Sequence, residues 1–294
     1  MVHHMLPWLF PARSSTVRPA RPDDSQAIQR LIHRARYRHL HSEWRPITDW
    51  IGRATALVAE DRHSLVGFLV APADPPRVAW IRAAAVDLNE KTTFQLMRQL
   101  LEACLEQLSG QGVRALCAMP VEPWLTPVLV DLKFGVVEWV ITLEKPDLSI
   151  PRRGNQTAVV RPAVWEDIRE LADLEAAAFE PRWQYSLEAL ETAWKAADCF
   201  TVAEVAGHVT GFQVSLVAGQ RAHLARLTVH PSAQRRGIGA RLLADALEKY
   251  VELGVEQVSL NTQTVNSASL HLYHAFDFRP TGPPLAVWER PVGR

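Results

Sequence analysis

Apolar residues in the second half of the chain recur with the spacing of helices. A helix beginning near Asp167 is indicated by one such set: Ile168, Leu171, Leu174 and Ala178. A longer amphipathic helix that ends at Gly254 is indicated by another: Leu242, Leu243, Ala246, Leu247 and Tyr250. Two further helices are predicted over residues 187–197 and 267–275.

Runs of β-branched and aromatic residues, separated by turn residues, predict the strands. In the second half these runs cover residues 157–161, 199–205, 211–217, 222–229, 257–260 and 285–290. Together with the helices, they predict an α/β (α+β) domain with one mixed, mainly antiparallel sheet.

The first half repeats this pattern at a near-constant offset. Four short patches recur 142 to 144 residues later: Val17-Arg18-Pro19-Ala20 at 160–163, Ala59-Glu60 at 203–204, Gly67-Phe68 at 211–212 and Gly112-Val113 at 254–255. A stretch rich in proline, glycine and charge lies between the copies and is predicted to be a linker. The expected organisation is an arm over 1–14, a first domain over 15–147, a linker over 148–156 and a second domain over 157–294.

The composition is that of a soluble globular protein. The chain has 294 residues, enough for two domains, and its 32 basic and 32 acidic residues give no bias towards nucleic acid or membrane. Cys104, Cys117 and Cys199 form no CxxC pair, so we expect no disulfide framework, no metal site and a cytoplasmic location. The apolar core of the arm is interrupted by Pro7 and Pro11 and is short for a signal peptide or a membrane span.

One stretch of the first half, residues 30–45, contains five arginines and three histidines. We interpret it as the solvated basic face of a helix, with recruitment of an acidic partner or a nucleic acid as the alternative. His39 and His41 are two positions apart, which does not place them on one helix face, so the stretch predicts no metal site.

A glycine-bearing loop lies between the strand over 222–229 and the long helix. Such a loop directs free backbone N–H groups and the positive end of the helix dipole to one point, which suits a diphosphate. Gly237 and Gly239 remove side chains where a ligand approaches the backbone, and Arg235 and Arg236 add positive charge. The alternative interpretation is a tight turn that caps a helix.

The wider context resembles the GCN5-related N-acetyltransferase (GNAT) family over residues 157–290. The resemblance rests on the run from His223 to Leu243, on Asn266-Ser-Ala-Ser-Leu-His-Leu-Tyr273 and on Phe276-Asp-Phe278. It implies acetyl-CoA as co-substrate and no metal, and within the family the second half is most similar to the ribosomal-protein alanine N-acetyltransferases.

The resemblance also implies roles for individual residues. Leu227, Thr228 and Val229 are expected to pair with the pantetheine arm, and Asn266 and Ser269 to contact it. The pyrophosphate is expected in the loop formed by Gln234, Arg235, Arg236, Gly237, Ile238, Gly239 and Ala240.

Attack of an amine on a thioester needs a base for the ammonium proton and a donor for the leaving sulfur. Tyr273 is the predicted donor, with simple core packing as the alternative. Asn261 stands where the resemblance implies a glutamate base, and an amide cannot take the proton. We therefore select Glu204 as the catalytic acid–base residue; the substitutes are His223, Glu180, His230 or a water chain.

The resemblance implies that the acceptor lies against the segment between the first two helices of the second domain. Phe179, Trp183 and Tyr185 are its aromatic residues and are predicted either to enclose the substrate or to fill the core.

The first copy lacks the features of the second. Residues 87–94 contain no glycine and two acids where the second copy has its loop, and Leu129 and Glu122 stand opposite Tyr273 and Asn266. We expect a non-catalytic domain that braces the second, covers part of its acceptor cleft or holds a partner. This tandem arrangement with one active half is similar to that of mycothiol synthase.

Two functions follow from the sequence. The first is an acetyl-CoA-dependent N-acetyltransferase acting on a small-molecule amine or a peptide N-terminus. The second is a non-catalytic acyl-CoA-binding or sensor protein.

Overall fold

The computed structural model describes residues 15–41, 44–52, 55–62 and 64–293. The predicted arm over 1–14 lies outside these residues. The strands form one sheet of five and one of nine, and helices flank both sheets.

The first half contains three α-helices and eight strands within the described ranges. The helices are α1 (Ser25–Arg34), α2 (Glu90–Ser109) and α3 (Thr126–Asp131). The strands are β1 (Thr16–Pro19), β2 (Tyr37–Leu40), β3 (Ala56–Asp61), β4 (Ser64–Val70), β5 (Val78–Trp80), β6 (Ala83–Val86), β7 (Ala115–Ala118) and β8 (Gly135–Lys145).

The second half contains α4 (Ile168–Ala178), α5 (Leu187–Ala196), α6 (Ile238–Glu252) and α7 (Ser267–His274). Its strands are β9 (Val159–Pro162), β10 (Cys199–Val205), β11 (His208–Ala218), β12 (Arg221–Val229), β13 (Gln257–Gln263) and β14 (Arg279–Pro291). Every helix and strand predicted for this half is present, and the mixed sheet flanked by helices is confirmed.

The two halves share local geometry at corresponding positions. Each has a β-bulge at the same place, after Ala59 in β3 and after Ala203 in β10. The same ion-pair network also occurs twice, because Arg18 binds Asp24 and Glu60 as Arg161 binds Asp167 and Glu204. These paired features follow the sequence offset of 143 to 144 residues.

The final strand of each half pairs with the other half. Strand β8 precedes the predicted boundary at residue 147, yet it lies between β13 and β14 in the nine-stranded sheet. In return, the end of β14 pairs with β7, from Trp288 opposite Ala118 to Pro291 opposite Ala115. The domain limits given above remain a prediction, and the sheet runs across them.

The prediction of a basic helix over 30–45 is wrong beyond Arg34. The helix α1 ends there, and residues 37–40 form β2, which pairs antiparallel with β6. His39 is buried in this strand, with Nε2 3.2 Å from the carbonyl oxygen of Ile81. The pairing with β6 overrides the local abundance of charge, because it satisfies the backbone groups of an otherwise open strand edge.

Helices cover both faces of the sheets. In each half the long helix, α2 or α6, packs on one face, and α1 or the α4–α5 pair packs on the other. None of the helices within the described residues is long and apolar enough to cross a membrane.

Candidate active site

The loop before α6 presents a row of free backbone donors. The six amides from Arg235 to Ala240 donate to no acceptor within the described part of the chain. Arg235 and Gly237 have left-handed backbone angles, with φ of 58° and 77°, which turn the loop into the helix N-terminus. The carbonyls of Arg236 and Gly237 face the linker instead, where they accept hydrogen bonds from Asn155 at 2.9 and 3.0 Å. An anion therefore fits the amide side of this loop.

Contacts within the protein also require glycine at both positions. A Cβ atom on Gly237 would meet the backbone nitrogen of Asn155 at 3.1 Å, and one on Gly239 would meet Leu272 Cδ2 at 3.3 Å. Gly237 is required by its positive φ and by the linker, and Gly239 by the approach of α7. Gln234 has a separate task, since its Nε2 donates to the carbonyl of Val229 and ties the loop to β12.

Strand β12 has an open edge next to this loop. It pairs in parallel with β13 only over residues 221–224, and a bulge at Ala225 follows. Beyond the bulge, Leu227, Thr228 and Val229 pair with β11 on one side, and no strand among the described residues pairs with them on the other. A bulge and an unpaired edge are both typical of a ligand-binding position in a sheet.

The side chain of Asn266 caps α7, because its Oδ1 accepts from the backbone nitrogen of Ser269 at 3.1 Å. The predicted contacts of these two residues with pantetheine stay predictions. Tyr273, further along α7, is buried, and its ring lies 5.8 Å from that of Phe278. Burial raises the pKa of Tyr273, and the nearby charge of Arg226 lowers it to a smaller extent. The hydroxyl therefore stays protonated near neutral pH, as a hydrogen-bond donor must.

A buried polar cluster connects β12 to the segment after α4. Glu175, fully buried, binds the guanidinium of Arg226 and accepts from Thr228 Oγ1 at 3.0 Å and from the Tyr185 backbone at 3.0 Å. The guanidinium of Arg226 also lies 3.7 Å from the ring centroid of Phe179 and 4.4 Å from that of Tyr185. These contacts hold the segment against the strand, at the level of the bulge.

A cleft of about 390 Å³ lies between the halves, on the side of β12 where Arg226 projects. Its second-half wall includes Trp183, Tyr185, His223, Arg226 and Asn261. Its first-half wall includes His41, Trp44, Asp74, Trp80 and Arg82. This volume is in the range of small-molecule sites.

The cleft contains two of the three predicted acceptor residues. Trp183 and Tyr185 line it, whereas Phe179 stacks on Arg226 behind them. The segment is fixed from the first half as well, since Trp80 Nε1 donates to the carbonyl of Arg182 and Trp183 Nε1 donates to Glu138. Enclosure of the acceptor by this segment stays a prediction.

The catalytic role assigned to Glu204 has no support in its position. Its carboxylate is bound to Arg161 at 2.7 Å, outside the cleft, and the same pair recurs in the first half as Arg18 and Glu60. A feature that both halves share is explained by the fold, and we assign Glu204 a structural role. Two of the alternative bases also lie outside the cleft. His230 caps the turn after β12, and Glu180 is exposed.

His223 is the substitute that does line the cleft. Its Nδ1 lies 3.0 Å from the hydroxyl of Ser259, and burial lowers its pKa below the ordinary value. The ring is therefore neutral near pH 7 and has a lone pair for a proton. Asn261 also lines the cleft, with its Oδ1 accepting from Thr142 Oγ1 at 2.9 Å.

The corresponding positions of the first half are closed. The open edge of β12 corresponds to β6, and there β2 pairs with residues 83–86. The loop shrinks to residues 87–89, and α2 has 20 residues where α6 has 15. At the offset of 143 residues, Glu175, Arg226 and Thr228 correspond to Ile32, Ala83 and Ala85.

Sequence reasoning missed Glu175, Arg226 and His41. A signal for the first two was present, because Glu175 and Arg226 stand where the first copy has Ile32 and Ala83. His41 had no such signal. Within the described ranges, no group of three or more His, Cys, Asp or Glu side chains could hold a metal ion.

These features define an α/β protein of two similar halves, and in the second half an unpaired strand edge lies beside a loop of free amides. Residues 168–278 match the model of the acetyltransferase (GNAT) family. This match lies within the second half of the chain and shows similarity to the family there.

Individual relatives agree with this family. An acetyltransferase of Sodalis glossinidius is 30% identical over 93 residues, which are 32% of this chain and 66% of the relative, slightly less than two thirds of its length. A GCN5-related N-acetyltransferase structure from Sphaerobacter thermophilus has a TM-score of 0.65 at 14% identity and covers 97% of both chains. A tandem GNAT protein from the clavulanic acid biosynthesis pathway has a TM-score of 0.66 at 15% identity, over 96% of this chain and 99% of its own. At these identities the two structures show the fold alone.

Proposed function

We propose that the second half is an acetyl-CoA-dependent N-acetyltransferase that acts on a primary amine, and that the first half binds no coenzyme. The observation that carries this proposal is the row of six free amides, Arg235 to Ala240, placed beside the open edge of β12. One site offers donors for a diphosphate, and the adjoining edge offers backbone groups for an amide-containing arm. The acceptor is a small-molecule amine or a peptide N-terminus, and the cleft volume favours the small molecule.

Different residues of the second half would bind the successive parts of this coenzyme. The loop amides would hold its pyrophosphate, with Arg235 and Arg236 at the rim, and Leu227 to Val229 would pair with its arm. Asn266 and Ser269, at the start of α7, would contact the arm from the other side. When bound, the coenzyme supplies an acetyl thioester for attack by an uncharged amine.

His223 and Tyr273 are suited to the two proton transfers. His223 faces the cleft as a neutral imidazole, and its ring nitrogen takes the proton of the acceptor ammonium. Tyr273 keeps its proton because burial raises its pKa, so its hydroxyl donates to the leaving sulfur. Arg226, bound to Glu175, is close enough to Tyr273 for its charge to affect the pKa of that residue.

A non-catalytic acyl-CoA sensor is the second candidate, and the amide of Asn261 in the cleft favours it. Titration calorimetry with acetyl-CoA, followed by thiol-release assays on a panel of amines, distinguishes the two. The enzyme predicts one bound acetyl-CoA per chain and amine-dependent thiol release. Tight binding with no release on any amine supports the sensor, and no binding contradicts both candidates.

A further inference from the structure

The cleft contains two polar side chains from the first half that have no partner of their own. Neither ring nitrogen of His41 has a hydrogen-bond partner within the described ranges, and its Nδ1 is buried. Asp74, half-buried, makes no ion pair or hydrogen bond to the described residues. Leaving a buried polar group unpaired costs free energy, so a ligand that supplies the missing bonds binds here favourably.

The position of His41 follows from the closed groove of the first half. Strand β2 fills that groove, and the next residue, His41, donates its backbone N–H to the carbonyl of Arg82 at 2.8 Å. Its ring then lies edge-on to Trp80, with centroids 5.5 Å apart. Strand β2, which covers the edge of β6 in the first half, thus leads directly to a side chain that lines the cleft beside β12.

The charges around the cleft favour a cation. Arg182 is bound to Glu289 and lies near Glu138, and Arg226 is bound to Glu175. The guanidinium of Arg82 lies 5.8 Å from the ring centroid of Trp80 and has further interactions. The carboxylate of Asp74 is not balanced in this way. Trp80 and Trp183, with ring centroids 5.5 Å apart, provide the aromatic wall that organic ammonium groups prefer.

We propose that the first half completes the acceptor site, with Asp74 and His41 binding a small organic amine that carries a second positive charge, against Trp80 and Trp183. Asp74 pairs with the ammonium group that is not acetylated, and the imidazole of His41 accepts a hydrogen bond from the same molecule. Burial lowers the pKa of His41 to about 3, so its ring is neutral and does not repel the cation. This inference rests on the proposed function and names the substrate class of that site.

The test uses three probes with four-carbon chains and the full-length protein without coenzyme. The diamine 1,4-diaminobutane carries a second ammonium group, butylamine carries no second charge, and 4-aminobutanoate carries a carboxylate. Calorimetry is expected to give the tightest binding for the diamine and the weakest for the amino acid. Asp74→Asn is expected to weaken diamine binding about tenfold and to remove most of this discrimination, because the charge pair is lost.

The matched control is Asp23→Asn, which removes an exposed carboxylate of the first half outside the cleft and is expected to change nothing. His41→Phe keeps an aromatic ring without the nitrogens and is expected to raise KM for the diamine several-fold, with kcat little changed. In the unaltered protein, the diamine is expected to shift the imidazole nitrogen resonances of His41.

Equal affinity for the three probes, no binding of the diamine, or an unaltered Asp74→Asn variant would each overturn the inference. These outcomes are separable from failure of the proposed function, because acetyl-CoA binding is measured independently. Acetyl-CoA affinity is expected to be the same in all three variants.

Discussion

The edge of β6 in the first half and the edge of β12 in the second are counterparts with different surroundings. Beside β6 the chain forms β2, a short loop and an apolar cluster. Beside β12 the corresponding segment, Pro181–Trp183, stays outside the groove as a 3₁₀ turn, and the loop presents free amides. Pro181 lacks the N–H that a paired strand needs, and Arg226 holds the carbonyl of Trp183. One topology thus gives a filled groove and an open one through local changes.

The largest expected effect comes from separating the halves at residue 147. A fragment over 148–294 lacks β8, which pairs with both β13 and β14, so the sheet would lose a central strand. We expect it to be unfolded or insoluble, as judged by circular dichroism and solubility. A fragment over 133–294, which keeps β8, is the matched control and is expected to retain more structure. Cooperative folding of the shorter fragment would contradict the observed strand exchange.

Substitution of Gly237 tests whether the loop belongs to a coenzyme site. Gly237→Glu imposes a side chain at a φ of 77°, displaces Asn155 and adds negative charge beside the free amides. Acetyl-CoA binding in calorimetry is expected to fall by at least about a hundredfold. Gly112→Glu is the control, because Gly112 has a φ of 72° in the first half and open space around it. Unchanged affinity in the Gly237 variant would remove the pyrophosphate from this loop.

Tyr273→Phe separates binding from chemistry. Loss of the proton donor is expected to lower kcat roughly tenfold to a hundredfold while the Kd of acetyl-CoA stays within about twofold. The first-half counterpart of Tyr273 is Leu129, so this role has no equivalent there. Tyr37→Phe in β2 serves as the control and is expected to leave kcat unchanged. An unaltered rate in the Tyr273 variant would show that the residue only packs in the core.

His41 is expected to have a small effect on stability that depends on pH. Its pKa, lowered to about 3 by burial and by the charges of Arg82 and His39, is below that of an unfolded histidine. Unfolding therefore takes up a proton below about pH 6.5, so the stabilisation is present at neutral pH and lost as the pH falls. We expect His41→Phe to reduce the loss of unfolding free energy between pH 7 and pH 5 by about 1 kcal/mol, after allowance for partial exposure. Denaturant unfolding of both proteins at pH 7 and pH 5 measures this difference. If both lose the same unfolding free energy, the His41 ring is exposed to solvent.

Elements of the second half could be predicted because their apolar spacing and turn residues are local signals. The strand over 199–205 is one case, and it is present with those bounds. The glycine loop could be located for the same reason, although its glycines serve backbone geometry and packing.

Other features depend on contacts that are distant in the sequence. Strand β2 has the composition of a charged surface segment and becomes a strand through its pairing with β6. The exchange of β8 and β14 leaves no local trace, since each strand has the same pattern whichever half it joins. Glu204 was misassigned because an acid at a strand end gives no indication that Arg161 binds it.

A crystal structure of the full chain grown with acetyl-CoA would show which strand edge the coenzyme occupies. We expect one coenzyme per chain, with its pyrophosphate on the amides of Arg235 to Ala240 and its arm along Leu227 to Val229. We also expect β2 to remain paired with β6. A coenzyme bound along β6, or two coenzymes in one chain, would show that the first half also has a coenzyme site.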